Sequence, residues 1–157
     1  MRNKTCCFTG HRPEKLSVNT EFVKEQLKKA IKGAIADGYK IFISGMARGV
    51  DIWAAELVLE ERNKNNCIKL FCASPYRDME KNWENDYKTR YQDIIKNADM
   101  VEYVCRHYSK QCFQMRNTYM VERCSRLIAV YDGQKGGTHN TIKYAEKSGL
   151  KIINILE

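Results

Sequence analysis

The chain has 157 residues, 43% hydrophobic and 29% charged, which suits a single globular domain spanning 1–157 with a core of its own. No apolar run approaches the ~20 residues needed to cross a bilayer, and no signal-peptide h-region follows the basic start, so membrane insertion is not expected and a cytoplasmic location is. Lys plus Arg total 27 against 19 Asp plus Glu, a net charge of +8 that favours anionic partners (nucleotides, nucleic acid or acidic proteins) without choosing among them.

Thr5–Thr9 reads as a strand. Thr20–Asp37 reads as a helix, with Val23, Leu27, Ala30, Ile31, Ala34 and Ile35 on one face and Gly38 as its stop. Lys40–Ser44 is a second strand and Val50–Asn63 a second helix. Cys67–Ala73 is a third strand. Trp83, Tyr87, Tyr91, Ile94 and Ile95 mark the stripe of a third helix. A short strand at Met100–Val104 precedes a helical stretch, Met115–Cys124. Arg126–Tyr131 is a strand, Thr138–Lys147 a helix ended by Gly149, and Lys151–Ile155 the last strand. Strands alternating with helices imply βαβ units. The expected fold is α/β, a single Rossmann-like, doubly wound, mainly parallel sheet with helices on both faces.

The seven cysteines are Cys6, Cys7, Cys67, Cys72, Cys105, Cys112 and Cys124. Several lie in apolar runs, which suggests free, buried thiols in a reducing compartment. Cys105, His107 and Cys112 are the alternative, a zinc site, but no CxxC pair accompanies them. No metal is expected.

Three glycine-bearing segments each follow a strand: Thr9-Gly10-His11-Arg12-Pro13, Ser44-Gly45-Met46-Ala47-Arg48-Gly49-Val50-Asp51, and Asp132-Gly133-Gln134-Lys135-Gly136-Gly137-Thr138. In a parallel sheet they emerge on one edge, where open α/β sheets bind ligands. Gly45 and Gly49 would let the backbone approach a phosphate at the start of the next helix, with Arg48 adding a charge-assisted contact. Asp51 would cap that helix or accept from a ribose hydroxyl. Gly136, Gly137 and Thr138 repeat the device as a second anion cradle. Arg12 would neutralise charge beside His11, and Arg116 and Asn117 would join the site from a helix start. Glu56, Asp51 and Asp132 are the carboxylates nearest these loops. Tyr103, Tyr108 and Phe113 either wall the ligand or pack a loop. The sequence has no GxxxxGK[ST] and no GxGxxG, which argues against a P-loop NTPase and an ordinary dehydrogenase.

The segments CFTGHRP (Cys7–Pro13), SGMARGVDIWAAE (Ser44–Glu56), RNTYMVERCSRLIAVYDG (Arg116–Gly133) and GGTHNTIKYA (Gly136–Ala145) resemble the YpsA-like family of the SLOG superfamily, along almost the whole chain. The resemblance implies a Rossmann-like fold that recognises nucleotides, nucleotide derivatives or nucleic acid, and a bacterial role in cell division or stress signalling. Two related groups set the alternatives. LOG-type phosphoribohydrolases, which release a base from a nucleoside monophosphate, carry a catalytic glutamate after GGxGT; here Ile142, Lys143 and Tyr144 follow instead, so no catalytic residue is assigned and the expectation leans away from an enzyme. DprA-type proteins resemble SGMARGVD and bind single-stranded DNA, which a basic chain could also do, with exposed aromatics such as Tyr76 or Tyr108 stacking on the bases. The cofactor or ligand is expected to be a nucleotide or nucleotide derivative of undetermined identity. A homodimer is compatible with the sequence.

Overall fold

A computed structural model describes residues 2–157. The strands are β1 (Thr5–Gly10), β2 (Ile41–Ser44), β3 (Lys69–Ser74), β4 (Met100–Tyr103), β5 (Arg126–Val130) and β6 (Lys151–Asn154). The helices are α1 (Thr20–Ala36), α2 (Val50–Lys64), α3 (Asn85–Asn97), α4 (Cys112–Glu122) and α5 (Gly137–Lys147). All six strands form one sheet in the order β4-β3-β2-β1-β5-β6, and every neighbouring pair is parallel. The chain moves outward from β1 to β4, then returns to the other side of β1 for β5 and β6. The order therefore reverses between β1 and β5, the position where such sheets open a crevice.

Strands buried on both faces need apolar residues on both, and the sequence supplies them. Cys6, Phe8, Phe42, Leu70, Cys72, Ile128 and Val130 pack against Val23, Leu27, Ile31, Ile52, Ala55, Tyr91 and Ile94 of α1, α2 and α3. The alternate residues Cys7, Ile43, Ala73 and Leu127 meet Met120, Val121 and Ala145 of α4 and α5. Phe8 and Phe42 are fully buried, their centroids 6.1 Å apart, and truncating either to alanine would cost ~3–5 kcal/mol. Asn19 caps α1 by accepting from the Phe22 N–H at 3.2 Å. Gly38 (φ 96°) and Gly149 (φ 80°) end their helices in the left-handed conformation.

The doubly wound sheet is the one expected, and its elements begin or end within a few residues of their sequence signals. β3 starts at Lys69 rather than Cys67, because Asn65 holds the preceding turn: its side chain accepts from the Cys67 N–H and its carbonyl from the Ile68 N–H. Trp83 lies ahead of α3, set edge-on to Tyr91 at 5.5 Å. α4 begins at Cys112, three residues before Met115. Cys6, Cys7, Cys72, Cys112 and Cys124 are buried, whereas Cys67 is exposed and Cys105 half-buried. Burial pushes the Cys72 thiol up to about 12. Among the described residues no helix is long and apolar enough to cross a membrane.

Candidate functional site

A crevice of about 390 Å³ opens at the carboxyl ends of the strands, within the size range of small-molecule sites. The exit of β1 contributes Thr9, Gly10, His11, Arg12 and Lys15. The β2–α2 segment contributes Ala47, Arg48 and Asp51. Arg116, Asn117, Phe113 and Met120 come from α4, Gly137 and Thr138 from the start of α5, and Tyr76, Met79 and Trp83 from the loop after β3.

Ser44, Gly45, Met46 and Gly49 stand behind this surface, and their contacts explain why. The Ser44 hydroxyl donates to the Asp51 carbonyl at 2.8 Å and accepts from the Met46 N–H at 3.2 Å. The Ala47 N–H donates to Asp51 Oδ2 at 3.2 Å. Met46 is fully buried and held at φ 65°. The loop is braced upon itself, and amides that would cradle an anion already serve that brace. A Cβ on Gly45 would come within 2.8 Å of Arg116 Nη1 and 2.9 Å of Asp51 Oδ2, and one on Gly49 within 2.7 Å of Pro13 Cδ. The Gly45 carbonyl accepts from Arg116 Nη1. These glycines admit protein neighbours, a buried arginine above all.

Asp51 does not cap α2. Gly49 occupies that position without any side-chain cap, and the Asp51 carboxylate instead turns inward to the Ala47 N–H. It is buried, and burial raises its carboxyl above the usual aspartate value, against the pull of Arg116 and of the Ala47 N–H. Arg116, equally buried, donates Nε–H to Asn117 Oδ1 at 2.8 Å; desolvation lowers its guanidinium from the ordinary arginine value. Arg48 reaches the crevice but is already engaged by two carboxylates, Glu14 at 2.5 Å and Glu84 at 3.4 Å. Among the described residues, Arg12 and Lys15 make no ion pair.

The α5 end is the open one. Gly136 (φ 148°) precedes the helix with no side-chain cap, and a Cβ on Gly136 or Gly137 would meet nothing within 4 Å. Gly137 and Thr138 line the crevice, so the first turn of α5, with its unpaired amides and the positive end of the helix dipole, stands at the crevice wall. Asp132 and Gly136 lie outside the lining. Asp132 accepts from the Gln134 N–H at 3.1 Å, which with nearby His11 keeps its carboxyl below the usual value. His11 Nε2 lies 3.0 Å from Asp132 Oδ1, though not aligned as a hydrogen bond.

Glu56 is held away by Arg90 through contacts of 2.6 and 2.9 Å. Tyr103 lies under the Arg77 guanidinium at 4.3 Å, outside the crevice, whereas Phe113 lines it. The wall from Tyr76, Met79 and Trp83, and the carboxylates Glu14 and Glu84, are not signalled by glycine. Ser74-Pro75-Tyr76-Arg77 is nevertheless a fourth strand exit on the same edge, and that position was the available clue.

The model of the YspA SLOG family matches residues 6–155. The chain is 30% identical over 160 residues to a UPF0398 protein of Bacillus thuringiensis (strain Al Hakam), covering 96% of this chain and 86% of that one. It is 31% identical, with the same coverage, to a UPF0398 protein of Bacillus cereus (strain B4264). Two DNA processing proteins A share the fold. The Streptococcus pneumoniae structure has a TM-score of 0.66 at 18% identity, covering 96% of this chain and 49% of its own. The Helicobacter pylori structure, whose subject is a single-stranded DNA binding mode, has a TM-score of 0.69 at 21% identity, covering 94% of this chain and 63% of its own. The chain thus spans about half to three-fifths of the length of these two proteins.

Proposed function

Since the chain belongs to the YpsA family of SLOG domains, we propose that it binds a nucleotide-type, phosphate-bearing ligand in the crevice at the carboxyl edge of the sheet. One observation carries this reading. A crevice of about 390 Å³ joins the uncapped N-terminus of α5 to Arg12, Lys15 and Arg116 at one topological switch point. A phosphate sits against Gly137 and Thr138, where free amides and the helix dipole favour an anion. Arg12 neutralises it from the β1 exit, and Arg116 fixes the floor. Arg48 joins only when the ligand outcompetes Glu14 and Glu84. Thr9, His11, Asp51 and Asn117 supply polar contacts around the ribose. The unpaired cysteines suit a reducing compartment, and we place the protein in the cytoplasm.

The test is a thermal-shift screen with ATP, NAD, ADP-ribose and nucleoside monophosphates on wild type and Arg12→Ala. A ligand at a hundred times its Kd stabilises by ~2.7 kcal/mol, or ~5–11 °C for a domain of this size. A shift in wild type that shrinks in Arg12→Ala supports the site. No shift with any nucleotide overturns it.

Binding of single-stranded DNA is the second reading. It is favoured by the two unpaired cations at the crevice mouth and the subject of the Helicobacter structure. It predicts a fluorescent oligonucleotide affinity that falls steeply with salt through counterion release; no binding at low salt ends it.

A further inference from the structure

The described residues include five large hydrophobic side chains that are strongly exposed: Phe22, Met100, Tyr108, Phe113 and Met115. Three of the five fall within one short stretch, 108–115; of these Phe113 lines the crevice, and Tyr108 packs against Phe113 and against Tyr76, another lining residue. Tyr108 is the most exposed, at 63%. Clustered rather than scattered apolar exposure is the pattern that calls for an explanation.

The rings are arranged rather than merely exposed. Tyr76, Tyr108 and Phe113 contact one another with centroids 5.7, 6.4 and 6.4 Å apart and ring planes 68–78° from parallel. Each contact is edge to face, so no two rings cover each other's faces by stacking. Tyr76 and Phe113 line the same crevice as Arg12, Gly137 and Thr138. The Arg116 guanidinium lies 6.0 Å from the Phe113 centroid, linking the cationic floor to the aromatic rim.

We infer that this rim is a nucleobase platform: a ligand anchored by phosphate at the α5 end lays its base against Tyr108 and Phe113. The occupant follows from continuity. A flat, aromatic, hydrogen-bonding group attached to a phosphate is what a crevice with a cationic floor and an aromatic mouth accommodates, and stacking of this kind tolerates any base. The inference rests on the phosphate-binding reading above. A free nucleotide and a single strand of nucleic acid present the same chemistry, so the experiment separates them.

Titration calorimetry would compare adenosine 5′-monophosphate, ribose 5-phosphate and a six-residue oligothymidylate on wild type and on the Tyr108→Ala/Phe113→Ala double variant, with unchanged melting temperature confirming the fold. In wild type the adenosine compound binds about tenfold or more tighter than ribose 5-phosphate. In the double variant the two bind alike, with ribose 5-phosphate affinity unchanged. Oligothymidylate binding tighter than the mononucleotide, and losing its advantage in the variant, identifies a strand as the source of the base. If ribose 5-phosphate binds wild type as well as the adenosine compound does, or if the advantage survives in the variant, the platform is refuted while the phosphate site stands. If none of the three binds, the phosphate reading fails and the platform falls with it.

Discussion

Replacing Arg116 by methionine should expose how much the site's floor depends on one buried charge. Arg116 is 6% exposed and Asp51 likewise; the arginine also holds the Gly45 carbonyl and the Asn117 side chain. Methionine fills much of the volume but leaves the Asp51 carboxylate buried without its cation. Arg116 is not in salt-bridge contact with Asp51, but its charge favours that buried carboxylate; leaving a buried charge uncompensated costs ~3–5 kcal/mol, which for a domain of this size lowers the melting temperature by ~6–20 °C. The loss depends on pH. Burial already raises the Asp51 carboxyl in the folded protein, so the folded state binds its proton more tightly than the unfolded state does. The resulting penalty is absent below the unfolded value, roughly 4, and grows as pH rises through the folded value. Without Arg116 the folded value climbs further. The deficit of Arg116→Met relative to wild type is therefore largest at neutral pH and shrinks on acidification. Urea denaturation of wild type, Arg116→Met, Asp51→Asn and the double variant at pH 7 and pH 5 measures this, and Asp51→Asn should restore most of the stability in the Arg116→Met background. An Arg116→Met protein within ~0.5 kcal/mol of wild type, a typical surface effect, would refute the reasoning, as would an Asp51→Asn substitution that deepens the loss.

Gly10→Ala would place a Cβ 2.6 Å from Val50 Cγ2 and destabilise by ~1–3 kcal/mol; Val50→Ala in the same chain should recover most of that in a denaturation series. Glu14→Gln removes the charge from the shorter of the two ion pairs on Arg48, so affinity for adenosine 5′-monophosphate should rise several-fold by calorimetry, and a fall would show that Glu14 supports the ligand rather than competing with it. In native protein at pH 8, iodoacetamide should label Cys67 first and Cys105 next, by mass spectrometry, leaving the five buried cysteines unlabelled until denaturant is added.

The alternation of strands and helices was plain in the sequence because buried parallel strands announce themselves as short apolar runs, here around Cys6–Phe8, Ile41–Ile43 and Leu127–Val130. Turns set by one side chain, such as Asn65 before β3, displaced boundaries that apolarity alone could not place. The glycine segments correctly pointed to one sheet edge, since parallel strands all exit there. Glycine identity could not say what approached the backbone. At Gly45 the close neighbour is Arg116, 71 positions away, and at Gly49 it is Pro13; both look like ligand-facing glycines in a local pattern. Arg48 reads as a free cation for the same reason, because Glu14 and Glu84 reach it only through the fold. Tyr76 is legible as an aromatic that could stack on a base, and it lines the crevice; Trp83 carries no local mark of a binding wall, since its spacing reads as the stripe of a helix.

The strand order has a consequence for synthesis. β1 through β4 are spatial neighbours in the order in which they are made, so they can zip together as the chain emerges. The second edge of β1, with Cys6 paired to Arg126 and Gly10 to Val130 in the finished sheet, then waits with its amides and carbonyls bare until β5 arrives. An apolar edge held open in a nascent chain invites pairing with other chains. The crevice cannot exist during that interval, because Gly137 and Thr138 follow β5. A ligand bound in the crevice as proposed would therefore stabilise only the completed sheet, and its presence at the end of translation would draw newly made chains out of the state in which they are most prone to aggregate.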